Sequence, residues 1–145
     1  MLKSLLLTAS LLACAAASAT DDKTIYYPVP KAPFSEATQV GNILYLSGQV
    51  GSVPGQNHLA EGGFAAEAKQ TMDNIGVTLK NHGLSYDDLF KCTIMLADMK
   101  NWPDFNKIYV PYFNPERLPA RSAIGASGLA MGAAVEIECW ANVNH

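Results

Sequence analysis

The sequence is poor in charged residues and has no surplus of basic ones. Its 145 residues include 10 Lys and Arg against 13 Asp and Glu, a formal net charge of −3 at pH 7. Nucleic-acid binding depends largely on clustered basic side chains that neutralise phosphates. We therefore expect no nucleic-acid partner.

The sequence also lacks the spacing patterns of common cofactor sites. Its three histidines, His58, His82 and His145, are scattered and do not have the close ligand spacing of a metal centre. The glycines at 62–63 and 128–132 do not form a phosphate-binding fingerprint. We therefore expect neither a metal nor an organic cofactor.

The apolar run near the start of the chain is too short to span a bilayer. Residues 1–19 have the pattern of a secretory signal peptide, with the basic Lys3, a leucine-rich stretch and a small-residue cleavage site. This pattern predicts an exported protein, periplasmic or secreted, with a single domain over residues 20–145. The weaker alternative is a lipid anchor on Cys14, within a loose lipobox.

Cysteine is scarce, and beyond the leader only Cys92 and Cys139 occur. They could pair in an oxidising compartment, but their spacing does not show whether their Cα atoms approach each other. We expect two buried, unpaired thiols, because free cysteine is among the residue types most often buried.

Hydrophobic periodicity predicts an α+β fold with two helices on one face of a mixed sheet. The predicted order is β-β-α-β-α-β-β, and the aromatic residues of the second helix are assigned to the core. Pro111 should kink that helix or end it early. The predicted elements are strands 37–40 and 43–49 around a Gly-Asn turn, a helix over 64–79 ended by Gly83, strand 91–96, a helix capped by Asn101, and strands 122–126 and 134–143.

Arg121 and Glu136 are the strongest candidates for chemistry. Arg121 starts a predicted strand, and a guanidinium group offers a rigid fork of donors that fits a small carboxylate. Glu136 shares one face of the last strand with Glu138 and Trp140, which indicates a subunit interface or a site rather than core. On a neighbouring strand, Glu136 could position water. The structural alternative is an ion pair between Arg121 and one of the two glutamates.

Six short motifs are spread over the predicted domain. They are Pro-Phe-Ser at 33–35, Val-Gly-Asn at 40–42, Ser-Gly-Gln at 47–49, Asp-Phe-Asn at 104–106, Pro-Ala-Arg-Ser at 119–122 and Val-Glu-Ile-Glu at 135–138. With these motifs the chain resembles the RidA (YjgF/YER057c/UK114) family of enamine and imine deaminases. The Ser-Gly-Gln and Pro-Ala-Arg-Ser motifs are specific together at this separation.

The resemblance implies a chorismate-mutase-like α+β fold and a homotrimer with clefts between its subunits. It also implies hydrolysis of 2-aminoacrylate, 2-iminopropanoate and similar 2-imino acids to 2-oxo acids and ammonia, without a cofactor. Arg121 matches the arginine that binds the substrate carboxylate, and Glu136 matches the glutamate that holds the attacking water. The other positions that match the cleft lining are Phe34, Ser47, Gly48, Asn106 and Ala123.

The chain departs from the family pattern in two places. Phe34 stands where relatives often carry a tyrosine, and it lacks the hydroxyl group. The turn over 125–134 lacks the charged and proline residues common in relatives. Together with export, these departures favour a second hypothesis, a non-catalytic trimer that binds a small carboxylate. Ribonuclease activity, attributed to some family members, is a third hypothesis, and the negative net charge argues against it.

Overall fold

One seven-stranded sheet and two α-helices provide most of the regular structure of residues 23–144, the part of the chain that this computed structural model describes. The predicted leader and Cys14 lie outside the described residues. The elements are β1 (Ile25–Pro28), β2 (Ser35–Val40), β3 (Ile43–Leu46), β4 (Gln49–Val50), α1 (Phe64–Asn81), β5 (Leu89–Leu96), α2 (Trp102–Tyr109), β6 (Ala120–Gly125) and β7 (Val135–Asn142).

The sheet is mixed, as the sequence predicts. Its strand order is β1-β2-β3-β7-β5-β6, with β4 also paired to β7. The β5–β6 pair is parallel and the other pairs are antiparallel. This arrangement, with both helices on one face, confirms the predicted fold class, while the trimer stays a prediction.

Local signals in the sequence correctly locate the first hairpin and the first helix. Val40 pairs with Ile43 across the two-residue turn, where Gly41 has a φ of 55°. Gly83, at a φ of 71°, follows α1, and Leu84 N donates to Leu79 O at 2.9 Å. A left-handed glycine with this hydrogen bond is a common end of a helix, because glycine has no Cβ to clash there.

The second helix ends early, as Pro111 predicts. α2 stops at Tyr109, and Pro111 lies in the short 3-10 turn Val110–Tyr112. The predicted cap is wrong in detail, since Asn101 occupies the N-cap position without a side-chain cap hydrogen bond. Asp98 instead accepts from Lys100 N at 2.9 Å in the preceding turn.

The sequence misses two short strands. β1 lies within residues 20–32, whose two prolines predict an extended lead-in and to which no strand was assigned, and it forms an edge of the sheet against β2. The strand expected over 43–49 is interrupted after Leu46, and β4 then pairs with β7 in a shifted register. Ser47 marks this break, where its Oγ donates to Ser35 O at 2.6 Å.

The central strand β7 divides the protein into a buried face and an open face. Its residues Val135, Ile137, Cys139 and Ala141 are buried in the core together with apolar side chains of α1. The alternating residues Glu136, Glu138 and Trp140 are half-buried on the other face, which neither α-helix covers. On this face the Trp140 ring packs against the rings of Tyr45 and Phe90, with centroids 5.0 and 6.3 Å away.

Two polar side chains of α1 hold the segments that flank the open face. The buried Glu67 carboxylate accepts from Ala134 N at 2.7 Å and Val135 N at 3.4 Å, which fixes the start of β7. Asn74 donates to Val50 O at 3.0 Å and Ser52 O at 2.9 Å, which holds β4. Both anchors satisfy backbone groups that would otherwise be buried without a partner.

Cys92 and Cys139 form a disulfide, so the prediction of two unpaired thiols is wrong. The two residues lie directly opposite each other in the antiparallel β5–β7 pair, with Cα atoms 4.1 Å apart. Their separation of 47 residues in the sequence carries no information about this register. The bond joins the neighbouring strands β5 and β7 inside the core.

Removal of the disulfide should destabilise the fold by about 4 kcal/mol, because the bond closes a long loop in the unfolded chain. Equilibrium unfolding in denaturant, with and without reductant, measures this loss. The Cys92→Ala/Cys139→Ala double variant is the control and should not respond to reductant. An identical unfolding midpoint for the original protein in both conditions would contradict the bond.

Candidate active site

The Glu136 side chain faces an open cavity of about 550 Å³. Four of the predicted site residues meet there, because β7 carries Glu136, the β1–β2 connection carries Phe34, and the β3–β4 connection carries Ser47 and Gly48. The residues that line the cavity are Phe34, Ser47, Gly48, Gln49, Val50, Ser52, Ala130, Met131 and Glu136. We call Phe34, Ser47, Gly48 and Glu136 the glutamate half-site.

Gly48 makes room for the Glu136 carboxylate. A Cβ atom on Gly48 would overlap with Glu136 Oε1. The Ser47 hydroxyl is occupied by its hydrogen bond to Ser35 O, and neither His58 nor His82 lines the cavity. Because a serine nucleophile needs an adjacent base, Ser47 is better explained as a residue that shapes the turn.

Arg121 is the second residue of β6 and lies against α2. Its Nη1 donates to Asn106 Oδ1 at 2.8 Å, and its guanidinium carbon lies 4.4 Å from the centroid of the Trp102 ring and 5.0 Å from that of Tyr109. The side chain also borders a cavity of about 270 Å³, together with Leu118 and other residues. We call Trp102, Asn106, Tyr109 and Arg121 the arginine half-site.

Arg121 has no acidic partner among residues 23–144, so the predicted alternative of an ion pair with Glu136 or Glu138 is wrong. Glu138 instead accepts from Trp140 Nε1 at 2.9 Å. The aromatic rings and the Asn106 amide hold the guanidinium without neutralising it. Its charge therefore remains available to an anionic ligand.

Trp102 and Tyr109 are site residues that the sequence alone did not reveal. We assigned the aromatic residues of the second helix to the core, which is confirmed for the buried Phe105 and Tyr109, whereas Trp102 is half-buried at the edge of the core and also contacts Arg121. The spacing of Trp102, Asn106 and Tyr109 by three and four residues places them on one side of α2. This spacing in the sequence could have indicated that the three side chains lie together.

The structure does not bring Arg121 and Glu136 together within one chain. Strand β5 lies between β6 and β7, where Cys92 pairs with Arg121 and Met95 pairs with Glu136. Because Cys92 and Met95 are an odd number of residues apart, the two side chains leave opposite faces of the sheet. The expectation that the glutamate lies on a neighbouring strand is therefore wrong.

Asn106 and Ala123 belong to the Arg121 side of the molecule. Asn106 binds the guanidinium directly, as described above. Ala123 lies two residues beyond Arg121 on β6 and packs against the core. The seven predicted site residues thus divide into two groups on opposite faces of the sheet. Any site that uses all of them must combine residues from two chains.

Neither metal ligation nor a membrane span is found in the part of the chain that the structure describes. Over residues 23–144, no group of three or more His, Cys, Asp or Glu side chains is placed to hold a metal ion. Within the same residues, neither α-helix is long and apolar enough to cross a bilayer.

The fold and the two half-sites define a small α+β protein in which one sheet face carries Arg121 without an acidic partner among residues 23–144 and the other carries the Glu136 carboxylate beside a cavity. A family model described as "Endoribonuclease L-PSP" matches residues 24–143. The chain belongs to this family, the RidA family, which confirms the resemblance found in the sequence.

Relatives in this family include named enzymes. The 2-iminobutanoate/2-iminopropanoate deaminase of Mus musculus is 42% identical over 114 residues, which cover 79% of this chain and 84% of the relative. The deaminase of the same name from Homo sapiens is 39% identical, with 75% and 79% covered. The solved structure of RidA from Psychrobacter sp. has a TM-score of 0.73 and 33% identity, with 85% of this chain and 98% of that chain covered.

The Tyr109 hydroxyl in the arginine half-site is buried and has no hydrogen-bond partner among the described residues. Burial raises the pKa of Tyr109 to about 12, although the nearby Arg121 acts in the opposite direction. The neutral phenol is therefore favoured in the folded state. In the unfolded chain the phenol has a pKa of about 10 and so loses its proton first. The stability that the raised pKa contributes is therefore fully present below pH 10 and is lost as the pH rises towards 12.

The Tyr109→Phe variant should be more stable than the original protein by about 1 kcal/mol at neutral pH, because it removes an unpaired buried hydroxyl and keeps the ring. It should also lose less stability between pH 10 and 12. Denaturant unfolding across that pH range measures both effects. Tyr86, whose pKa burial also raises to about 12, titrates in both proteins, so the comparison isolates Tyr109. A destabilised variant would show that the hydroxyl has a partner.

Proposed function

We propose that the protein hydrolyses reactive enamines and 2-imino acids, such as 2-aminoacrylate and 2-iminopropanoate, to 2-oxo acids and ammonia. The observation that carries this proposal is the state of Arg121, a charged group held by Trp102 and Asn106 and without an acidic partner in the described part of the chain. Such a guanidinium fits the carboxylate that every 2-imino acid has. The deaminase names of the relatives support the same chemistry.

The proposed reaction needs few catalytic groups. Arg121 would hold the substrate carboxylate in a bidentate contact and so place the adjacent C=N carbon near Glu136. Glu136 would accept a proton from water while the water oxygen bonds to that carbon and the C=N electron pair moves to nitrogen. Protonated nitrogen then leaves as ammonia and the carbonyl forms. A protonated imine is already electrophilic, so no metal or organic cofactor is required.

The proposed active unit is a homotrimer whose sites lie between subunits. The number of subunits is what membership of the RidA family implies. The opposite orientation of Arg121 and Glu136 supports sites between subunits, because a second copy is needed to bring an arginine half-site to a glutamate half-site. A head-to-tail contact between different surfaces closes into a ring when the rotation allows it. The open sheet face, with Tyr45, Phe90 and Trp140, supplies apolar surface for that contact.

The first test is imine decay. An amino-acid oxidase generates 2-iminopropanoate from alanine, and its loss is followed with the original protein and the Arg121→Ala and Glu136→Gln variants. We expect each substitution to lower kcat/KM by about 100-fold or more. Glu138→Gln, a change on the same face of β7, is the matched control and should keep the activity.

The outcomes separate the competing functions. Decay no faster than the blank, with retained binding of a small carboxylate, would leave a non-catalytic binding trimer. RNA cleavage that survives Arg121→Ala would favour the ribonuclease hypothesis. Equal activity of all variants would show that neither half-site is catalytic.

Mixed trimers test whether two chains share a site. If Arg121→Ala and Glu136→Gln chains are mixed in equal amounts and refolded together, about a quarter of the sites receive both intact residues, since each site draws at random on two subunits. We therefore expect activity to recover to about that fraction. No recovery in verified mixed trimers would place both residues of a site in one chain.

Gly48→Ala should lower kcat by about tenfold or more without unfolding the protein. The added Cβ would displace the Glu136 carboxylate, while the backbone of Gly48 does not have the positive φ that excludes alanine. Gly128→Ala is the control, because a Cβ there meets no other atom within 4 Å. Full activity of Gly48→Ala would argue against a fixed position for Glu136.

We also propose that the protein works in an oxidising compartment after export. The Cys92–Cys139 disulfide supports this, since such bonds persist mainly outside the reducing cytosol. The signal-like pattern of residues 1–19 supports it independently. Sequencing the N-terminus of the protein isolated from its native cells tests export. A chain that retains its first residues would contradict the proposal.

A further inference from the structure

The Glu136 carboxylate is placed by the backbone around it. Among residues 23–144, no donor group hydrogen-bonds to this carboxylate. Its strand pairs at this point with Val50 of β4 and Met95 of β5, and its Oε1 lies where a Cβ atom on Gly48 would be. A catalytic group has to be kept within roughly 0.5 Å of its productive position. The backbone of β7 and the segment that carries Gly48 must therefore provide that precision.

The segment that carries Gly48 is weakly supported by the sheet. It continues into β4, which consists of only Gln49 and Val50. Strands in globular proteins usually have about 5–6 residues. Within residues 23–144, β4 pairs with β7 and with no other strand. The position of this segment therefore depends on contacts from outside the sheet.

Asn74 of α1 provides such a contact. Its Nδ2 donates to Val50 O at 3.0 Å and to Ser52 O at 2.9 Å, while its Oδ1 accepts from Gln70 Nε2 at 2.9 Å. This partner fixes the orientation of the amide, because the reverse orientation would place its oxygen against two carbonyl oxygens. Asn74 is buried, so little water competes for these bonds. The amide ties both ends of the β4 segment to the helix.

Glu67 makes a second contact from the same side of α1. It lies seven residues before Asn74, which is about two turns of helix. Its carboxylate accepts from Ala134 N and Val135 N, directly before Glu136. One helix thus holds both segments that place the Glu136 carboxylate. Glu67 and Asn74 make these contacts within their own chain and are buried there, so no second subunit is needed to form them.

We propose that Glu67 and Asn74 are positioning residues for the Glu136 carboxylate. Asn74 acts through β4 and Gly48, and Glu67 acts through the start of β7. This inference rests on the proposed deaminase function, in which Glu136 activates water. Loss of either side chain should slow the chemical step and leave the binding of the substrate carboxylate, which is assigned to Arg121, unchanged.

Asn74→Asp tests the first anchor, because it keeps the size of the side chain but replaces the donating NH2 group with an oxygen. We expect kcat for 2-iminopropanoate to fall about tenfold or more, since a misplacement of about 1 Å can lower a rate about 100-fold. KM should change less than about twofold. Glu67→Ala should act in the same way. Glu67→Gln keeps an acceptor oxygen and should retain kcat to within about threefold.

Thr71→Val is the matched control. Thr71 is buried on α1 between the two anchors, and its hydroxyl donates to Glu67 O of the same helix at 2.9 Å. The variant loses a buried hydrogen bond without releasing β4 or β7, so it should keep kcat. A loss of kcat as large as that of Asn74→Asp would show that general destabilisation explains both, and would overturn the inference.

Double variants test whether the anchors act through Glu136. In the Glu136→Gln background, Asn74→Asp and Glu67→Ala should lower kcat no further, because the effects of residues that act through one group are not additive. A further drop as large as in the original protein would overturn the inference.

Amide hydrogen exchange separates failure of this inference from failure of the proposed function. Asn74→Asp should speed exchange about tenfold or more at Val50 and Glu136 and leave the β5–β6 pair unchanged. Such local loosening would support the anchoring of Glu136 even if the original protein hydrolyses no imine, in which case the deaminase function alone fails. Exchange that is unchanged, or faster to the same extent throughout the protein, would overturn the inference.

Discussion

The position of the glutamate half-site depends on the contact between the Glu67 carboxylate and the backbone N–H groups of Ala134 and Val135, where β7 begins. A buried carboxylate is costly unless it is hydrogen-bonded, so this contact both satisfies the charge and fixes where the strand begins. The residue at which β7 begins decides which of its side chains face the core and which face the cavity. A slip by one residue would turn Glu136 into the core and Val135 towards the cavity. The position of the candidate catalytic carboxylate is therefore a consequence of how α1 holds β7.

Arg121 and Glu136 occupy opposite faces of one sheet, and this separation ties the proposed chemistry to assembly. Each chain offers an arginine held by Trp102 on its helical side and a glutamate beside a cavity on its open side. Neither half-site contains both the group proposed to bind the acid and the group proposed to hold water. Activity of this kind would depend on protein concentration, because the complete site exists only where two copies meet.

The sequence predicts well where the signal is local. The β2–β3 hairpin, α1 with its glycine end, and the stop near Pro111 all follow from patterns within a few residues. The short strands β1 and β4 were missed because they are defined by partners rather than by their own periodicity. The disulfide was missed for a related reason, since the alignment of β5 with β7 is a property of the sheet and not of either strand.

By itself, the sequence determined the family and the α+β class and gave the candidate residues for binding an acid and holding water, because motifs and hydrophobic periodicity are local features of a sequence. Only the tertiary structure decided that Arg121 lies on Trp102, that Gly48 leaves space for Glu136, and that Cys92 meets Cys139. Contacts of this kind depend on the order of the strands and the face that each side chain occupies. These are set by packing between distant segments, which no local pattern encodes.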